Sequence, residues 1–145
     1  MIQEAVTNIL LSCNTFPAQL RSISPTEFNH KPAGKWSKKE IVGHLIDSAT
    51  VNLQRFIRGQ VENSPQIYYD QDNWVAVQRY QEYNDEELIV LWEALNRHLA
   101  HVIAHISETD LQRTCLMRNG EALTLQFLAG DYHAHLQHHA QQILS

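Results

Sequence analysis

The sequence predicts an all-α protein, a bundle of four long helices with a small β-hairpin ahead of the last. Three observations carry that expectation. Apolar residues recur with a 3.6-residue period through four segments, the pattern of helices burying one face against each other. Capping and turn signals punctuate those segments. The 145 residues, 43% apolar and 19% charged, suit a single domain spanning residues 1–145 whose core needs no staples.

The first helix is expected over residues 3–22, with Val6, Ile9, Leu10, Cys13, Phe16 and Leu20 on one face and Pro17 threatening its continuity. Residues 24–36 read as a loop, with one helical turn at Pro25-Thr26-Glu27. Ser37-Lys38-Lys39-Glu40 is a capping box and opens the second helix, which runs to about residue 61. Its stripe is Ile41, His44, Leu45, Ser48, Val51, Asn52, Arg55 and Phe56. Residues 62–73 make the longest connection, the kind of segment that covers a site. A short helical piece is expected over residues 74–80. Asn84, followed by Asp85, Glu86 and Glu87, is an N-cap with an acidic first turn, and it starts the third helix. Asn119-Gly120 signals a type I′ hairpin turn within residues 114–123, and the fourth helix follows over residues 124–144.

Composition excludes several function classes. With a net charge of −5 and no basic run beyond Lys38-Lys39, the electrostatic footprint of a nucleic-acid binder is missing, so no DNA or RNA partner is expected. No apolar run approaches the roughly 18 residues that span a bilayer, and Met1-Ile2-Gln3-Glu4-Ala5 lacks a basic leader pattern; the expectation is a cytoplasmic protein with no membrane partner. Cys13 and Cys115, far apart and without CxxC spacing, read as two buried thiols. One figure stands out: nine histidines, four of them (His133, His135, His138 and His139) in the final helix.

At about 100° per residue, Leu125, Leu128, Ala129, Tyr132, Leu136 and Ile143 define the inward face of that helix. His139 falls within it, His135 and His133 lie at opposite edges, and His138 points away. Only His135 shares His139's side. Residues four apart stack one turn above another, so two imidazoles can converge on one ion. The same spacing recurs at His101 and His105, off the apolar stripe of the third helix, with His98 at its margin. A third ligand is the stronger test, and His44, on the inward stripe of the second helix, is the candidate. Two readings stay open here: a divalent metal on His44, His135 and His139, or a hydrogen-bonded core histidine beside a half-exposed pair. Asp47, three residues after His44, and Asp131, four before His135, are placed to hold an imidazole tautomer or to face solvent.

The block from Trp36-Ser37 through His44, Asp47 and Ser48, then Asn52, Arg55-Phe56, Tyr69-Asp70 and Trp74, and finally Asp131-Tyr132, His135, His138-His139 and Gln142-Ile143, resembles the DinB/YfiT-like superfamily. The resemblance spans nearly the whole chain. It implies a four-helix bundle with a long crossover and one divalent metal on His44, His135 and His139; imidazole donors put zinc or nickel foremost for that ion, with iron or manganese behind them. Members of that superfamily include thiol-dependent S-transferases, acting with bacillithiol, mycothiol or glutathione, and thiol-dependent isomerases, and the first expectation for this chain is transfer of a low-molecular-weight thiol to an electrophilic small molecule. Arg55 is then the candidate anchor for a carboxylate of the thiol, and Tyr69, Asp70 and Trp74 either line the mouth of the site or pack a lid. Metal-dependent hydrolysis and a non-catalytic metal-binding or stress-response role are the rival functions. A homodimer is expected only from the frequency of that state.

Overall fold

A computed structural model of the chain describes residues 2–145, so Met1, part of the N-terminal pentapeptide read above, lies outside it. The elements in chain order are α1 (Ile2–Arg21), α2 (Pro25–Asn29), α3 (Lys38–Val61), α4 (Gln71–Gln78), a 3₁₀ turn (Tyr80–Glu82), α5 (Asp85–Ala104), a second 3₁₀ turn (Asp110–Gln112), strands β1 (Thr114–Leu116) and β2 (Ala122–Thr124), and α6 (Leu125–Leu144). Four long helices make the bundle, as expected.

Two apolar clusters stacked along the bundle reveal its topology. One joins Ala5, Ile9 and Cys13 of α1 to Ala49 and Phe56 of α3, Leu99 and Ile103 of α5, and Leu125 and Leu128 of α6. The other joins Phe16 and Leu20 to Ile41 and Leu45, Leu88 and Trp92, and Leu136 and Ile143. Helices α3 and α5 therefore start at the same end and run parallel, while α1 and α6 run against them. A parallel pair cannot be joined by a tight turn, so residues 62–84 form the long crossover that carries α4 and the Tyr80 turn.

Pro17 does not break α1. Proline cannot donate to the carbonyl four residues back, and that carbonyl, on Cys13, receives the Arg97 guanidinium of α5 at 3.5 Å instead. The α4 helix starts at Gln71, three residues before the expected Trp74, because the Asp70 side chain caps it by accepting from Asn73 N–H. The hairpin forms, but its turn is not type I′. Gly120 alone has positive φ, at 84°, and Gly120 N–H donates to Met117 C=O at 2.9 Å. The Asn119 side chain accepts from Glu121 N–H, which yields a three-residue loop ending in a left-handed glycine. Cys13 and Cys115 are buried free thiols. Among the described residues no helix is long and apolar enough to cross a membrane.

Candidate metal centre

The site is built around the start of α3. Ser37 Oγ accepts from Glu40 N–H at 3.0 Å and the Glu40 carboxylate accepts from Ser37 N–H at 3.0 Å, so the capping box read from sequence is present. Lys39 is buried and pairs with Asp85 at 2.8 Å, pinning the start of α3 to the start of α5. From Lys39 to Ala49 every residue of α3 is buried, which makes this stretch a central helix rather than an amphipathic one. At Gly43 a Cβ would overlap the Tyr80 ring, so the absence of a side chain lets the crossover lie directly on α3 beside His44.

His44 is only 1% exposed. Its ring centroid stands 5.2 Å from that of His135 and 4.9 Å from that of His139, and the latter two are 4.6 Å apart. One nitrogen from each ring can be chosen so that all three lie within 4.8 Å of one another. His44 Nε2 and His135 Nε2 are 3.3 Å apart. Two nitrogens bonded to one tetrahedral ion at about 2.0–2.1 Å stand about 3.3–3.4 Å apart, so this spacing matches a shared ion. The other nitrogen of His44, Nδ1, is buried with no hydrogen-bond partner. His139 Nδ1 donates to Gln142 Oε1 at 3.0 Å, which leaves its Nε2 as the free lone pair.

Electrostatics keep the cluster in ligand form. Burial, then the neighbouring His135 and His139, lowers the pKa of His44 to about 4. Burial and His139 do the same for His135, again to about 4, against an opposing pull from Asp131. Both rings are therefore neutral at pH 7 and offer lone pairs. The donor set and the 3.3 Å spacing fit a divalent transition metal.

The remaining candidates are placed as follows. Asp47 does not reach His44. Its Oδ1 accepts from Tyr80 O–H and Gln78 N–H, each at 2.7 Å, and so ties the crossover to α3. Asp131 is exposed and acts on His135 through its field alone. Arg55 donates from Nε and Nη2 to Ile67 C=O at 3.2 and 2.7 Å and from Nη1 to Asn52 Oδ1 at 3.4 Å, which commits it to holding the crossover. Tyr69 is held against Ser48, with its hydroxyl pushed up to about 12 by burial and Asp47, and its ring meets Trp74 edge-on at 5.0 Å. His133 and His138 stay outside the cluster.

Two residues that the resemblance included without a role take one at the site. The Trp36 ring lies 5.0 Å from that of His44 at 33°, and Gln142 orients His139. The i+3 spacing of Gln142 from His139 is a local signal for its role, whereas the reach of Trp36 across the start of α3 has no signal in local spacing. Both also line an open cavity of about 560 Å³, together with Lys31, Lys35, Gln71 and Asp72. Through Trp36 and Gln142 the histidine cluster thus borders a cavity large enough for a small molecule, although none of the three imidazoles lines it.

Fold and site together define a helical-bundle protein with a three-imidazole cluster at one end, next to a cavity. The family model of the DinB superfamily matches residues 13–143, and the chain belongs to that superfamily. A protein of Geobacillus thermodenitrificans named "Putative metal-dependent hydrolase" is 28% identical over 114 residues, covering 77% of this chain and 64% of that protein. A relative of the same description from Oceanobacillus iheyensis is 27% identical over 114 residues, covering 78% and 66%. The chain thus spans about two thirds of the length of these curated relatives. Among solved structures, YfiT from Bacillus subtilis, described as "a probable metal-dependent hydrolase with an unusual four-helix bundle topology", superposes with a TM-score of 0.85 at 20% identity, covering 98% of this chain and 83% of YfiT. The mycothiol-dependent maleylpyruvate isomerase superposes with a TM-score of 0.81 at 16% identity, covering 99% and 60%. At these identities the superpositions establish a shared fold.

Proposed function

We propose that the chain is a metal-dependent enzyme that holds one divalent ion on His44, His135 and His139 and transfers a low-molecular-weight thiol to an electrophilic small molecule. The observation that carries the reading is the composition of the cluster: three imidazoles and, among the described residues, no carboxylate. An ion held by three neutral imidazoles keeps coordination positions open and supplies Lewis acidity that lowers the pKa of a thiol or of water. A thiol starts near 8.5 and needs only a small shift to ionise at pH 7, whereas water starts near 15.7 and gains from a base. A site without a carboxylate base thus suits the thiol.

The chain's own residues prepare that site. Burial keeps His44 and His135 unprotonated, Gln142 fixes the tautomer of His139, and Trp36 covers the His44 ring. The adjoining cavity would receive the substrates, and Lys31 and Lys35 on its wall would favour a carboxylate on one of them. In this reading Arg55 positions the crossover instead of gripping the thiol. Zinc and nickel suit the ligand set best in our reading, ahead of iron and manganese.

Hydrolysis is the second reading, favoured by the names given to the bacterial relatives. The test is a mass-spectrometric screen of metal-loaded protein for conjugates of bacillithiol, glutathione, cysteine and coenzyme A with electrophiles, run beside ester and amide hydrolysis assays. Conjugates that disappear in His44→Ala are expected. Hydrolysis with no conjugate from any thiol would transfer the assignment to the second reading.

A further inference from the structure

The His-x-x-x-His spacing occurs twice in the chain, and the three-histidine site uses only one copy. The other, His101 and His105, lies at the C-terminal end of α5, where both side chains are exposed. Their ring centroids are 4.4 Å apart, close to the 4.6 Å of His135 and His139. His105 is also oriented. Its Nδ1 lies 2.8 Å from His101 C=O, and because a carbonyl only accepts, Nδ1 carries the proton and Nε2 keeps its lone pair toward solvent. This is the same preparation that Gln142 gives His139. The last turn of a helix carries partial negative charge from its unpaired carbonyls, which favours a cation there.

We propose that His101 and His105 form a second, exchangeable site for a divalent transition-metal ion such as zinc, nickel or copper. The two imidazoles occupy two coordination positions and water completes the sphere, so the site binds more weakly than three converging imidazoles. It is also independent of the first. Leu45, next to His44, packs in one cluster with Leu88 and Trp92, whereas His101 lies nine to thirteen residues farther along α5, about 14–20 Å at 1.5 Å per residue. The inference therefore does not depend on what reaction the first site supports.

The test is titration of the metal-stripped full chain with nickel and with zinc ions alone, by calorimetry, with histidine NMR signals followed for nickel. Two classes of site are expected. His101→Ala and His105→Ala should each weaken the second class about ten-fold or more, because each removes the intramolecular partner ligand, and should leave the first class unchanged. His44→Ala should remove only the first class, and nickel should broaden the His101 and His105 signals in that variant too. Both alanine replacements lie on the exposed face, and a thermal melt matching that of the wild type reports an intact fold. A second class that persists in the His101→Ala/His105→Ala double variant, or no second class up to about millimolar metal, would overturn the proposal.

Discussion

At the residue scale the decisive groups are the three imidazoles and the side chain that orients one of them. His44 Nδ1 has no hydrogen-bond partner, and an unsatisfied buried polar atom costs about 1–3 kcal/mol. His44→Ala and His139→Ala should each abolish stoichiometric metal in elemental analysis of purified protein; unchanged metal content in both would end the three-histidine assignment. Gln142→Ala should weaken metal binding about 10–100-fold while leaving the fold intact, since it removes only the group that orients His139. The metal-free protein should also respond to pH in a definite direction. His44 and His135 sit near 4 when folded against about 6.5 when unfolded, so between those values the unfolded chain binds more protons. Their contribution to stability is complete above about pH 6.5 and is lost as pH falls toward about 4. Urea midpoints of the stripped protein should drop over that window in the wild type and less in His44→Ala. Angular position on a helix needs only local spacing, and it marked the three histidines as candidates while leaving a hydrogen-bonded core histidine open; the shared ion was implied by resemblance. The stacking of Trp36 on His44 was not legible, because it depends on how the loop before α3 folds back.

At the element scale most boundaries follow from local chemistry, and the departures have identifiable partners elsewhere in the fold. The Ser37 capping box and the Asn84 cap start α3 and α5 where the residues indicate. Pro17 looked like a break because the compensating group, Arg97, is 80 residues downstream. That compensation is measurable by a double-mutant cycle. Arg97→Ala should cost about 0.5–1 kcal/mol more with Pro17 present than in a Pro17→Ala background, where the restored N–H can donate to Cys13 C=O. Additive effects would show that the guanidinium does not stand in for the missing donor. The turn type of the hairpin was misread for a similar reason: Asn119 uses its side chain on Glu121 N–H instead of adopting positive φ. Gly43 is the tightest point between elements. Gly43→Ala should destabilise the protein by about 1–3 kcal/mol, read from denaturant midpoints, because the Tyr80 ring must move.

At the scale of the whole molecule, the parallel run of α3 and α5 was not legible in periodicity alone, since helix direction is set by which apolar faces meet across the chain. The expectation of a crossover came from resemblance, and the two apolar clusters bear it out. Lys39–Asp85 and Tyr80–Asp47 tie the helix starts and the crossover together near the cluster, and Arg55–Ile67 ties the crossover to α3 farther along. Metal should therefore stabilise the entire fold: at a free concentration 100 times the dissociation constant, about 2.7 kcal/mol is gained, seen as a higher Tm in the wild type and none from that site in His44→Ala. The separation of the ligands along the chain has a consequence for biogenesis. His44 and His135 are 91 residues apart, so at about 5–20 residues per second a ribosome makes the second ligand about 5–18 s after the first. During that interval the growing chain offers only a single imidazole of the trio, which holds no ion tightly. Metal capture at this centre is thus an event of bundle closure, and a pulse-labelled chain arrested before α6 should leave that metal in solution.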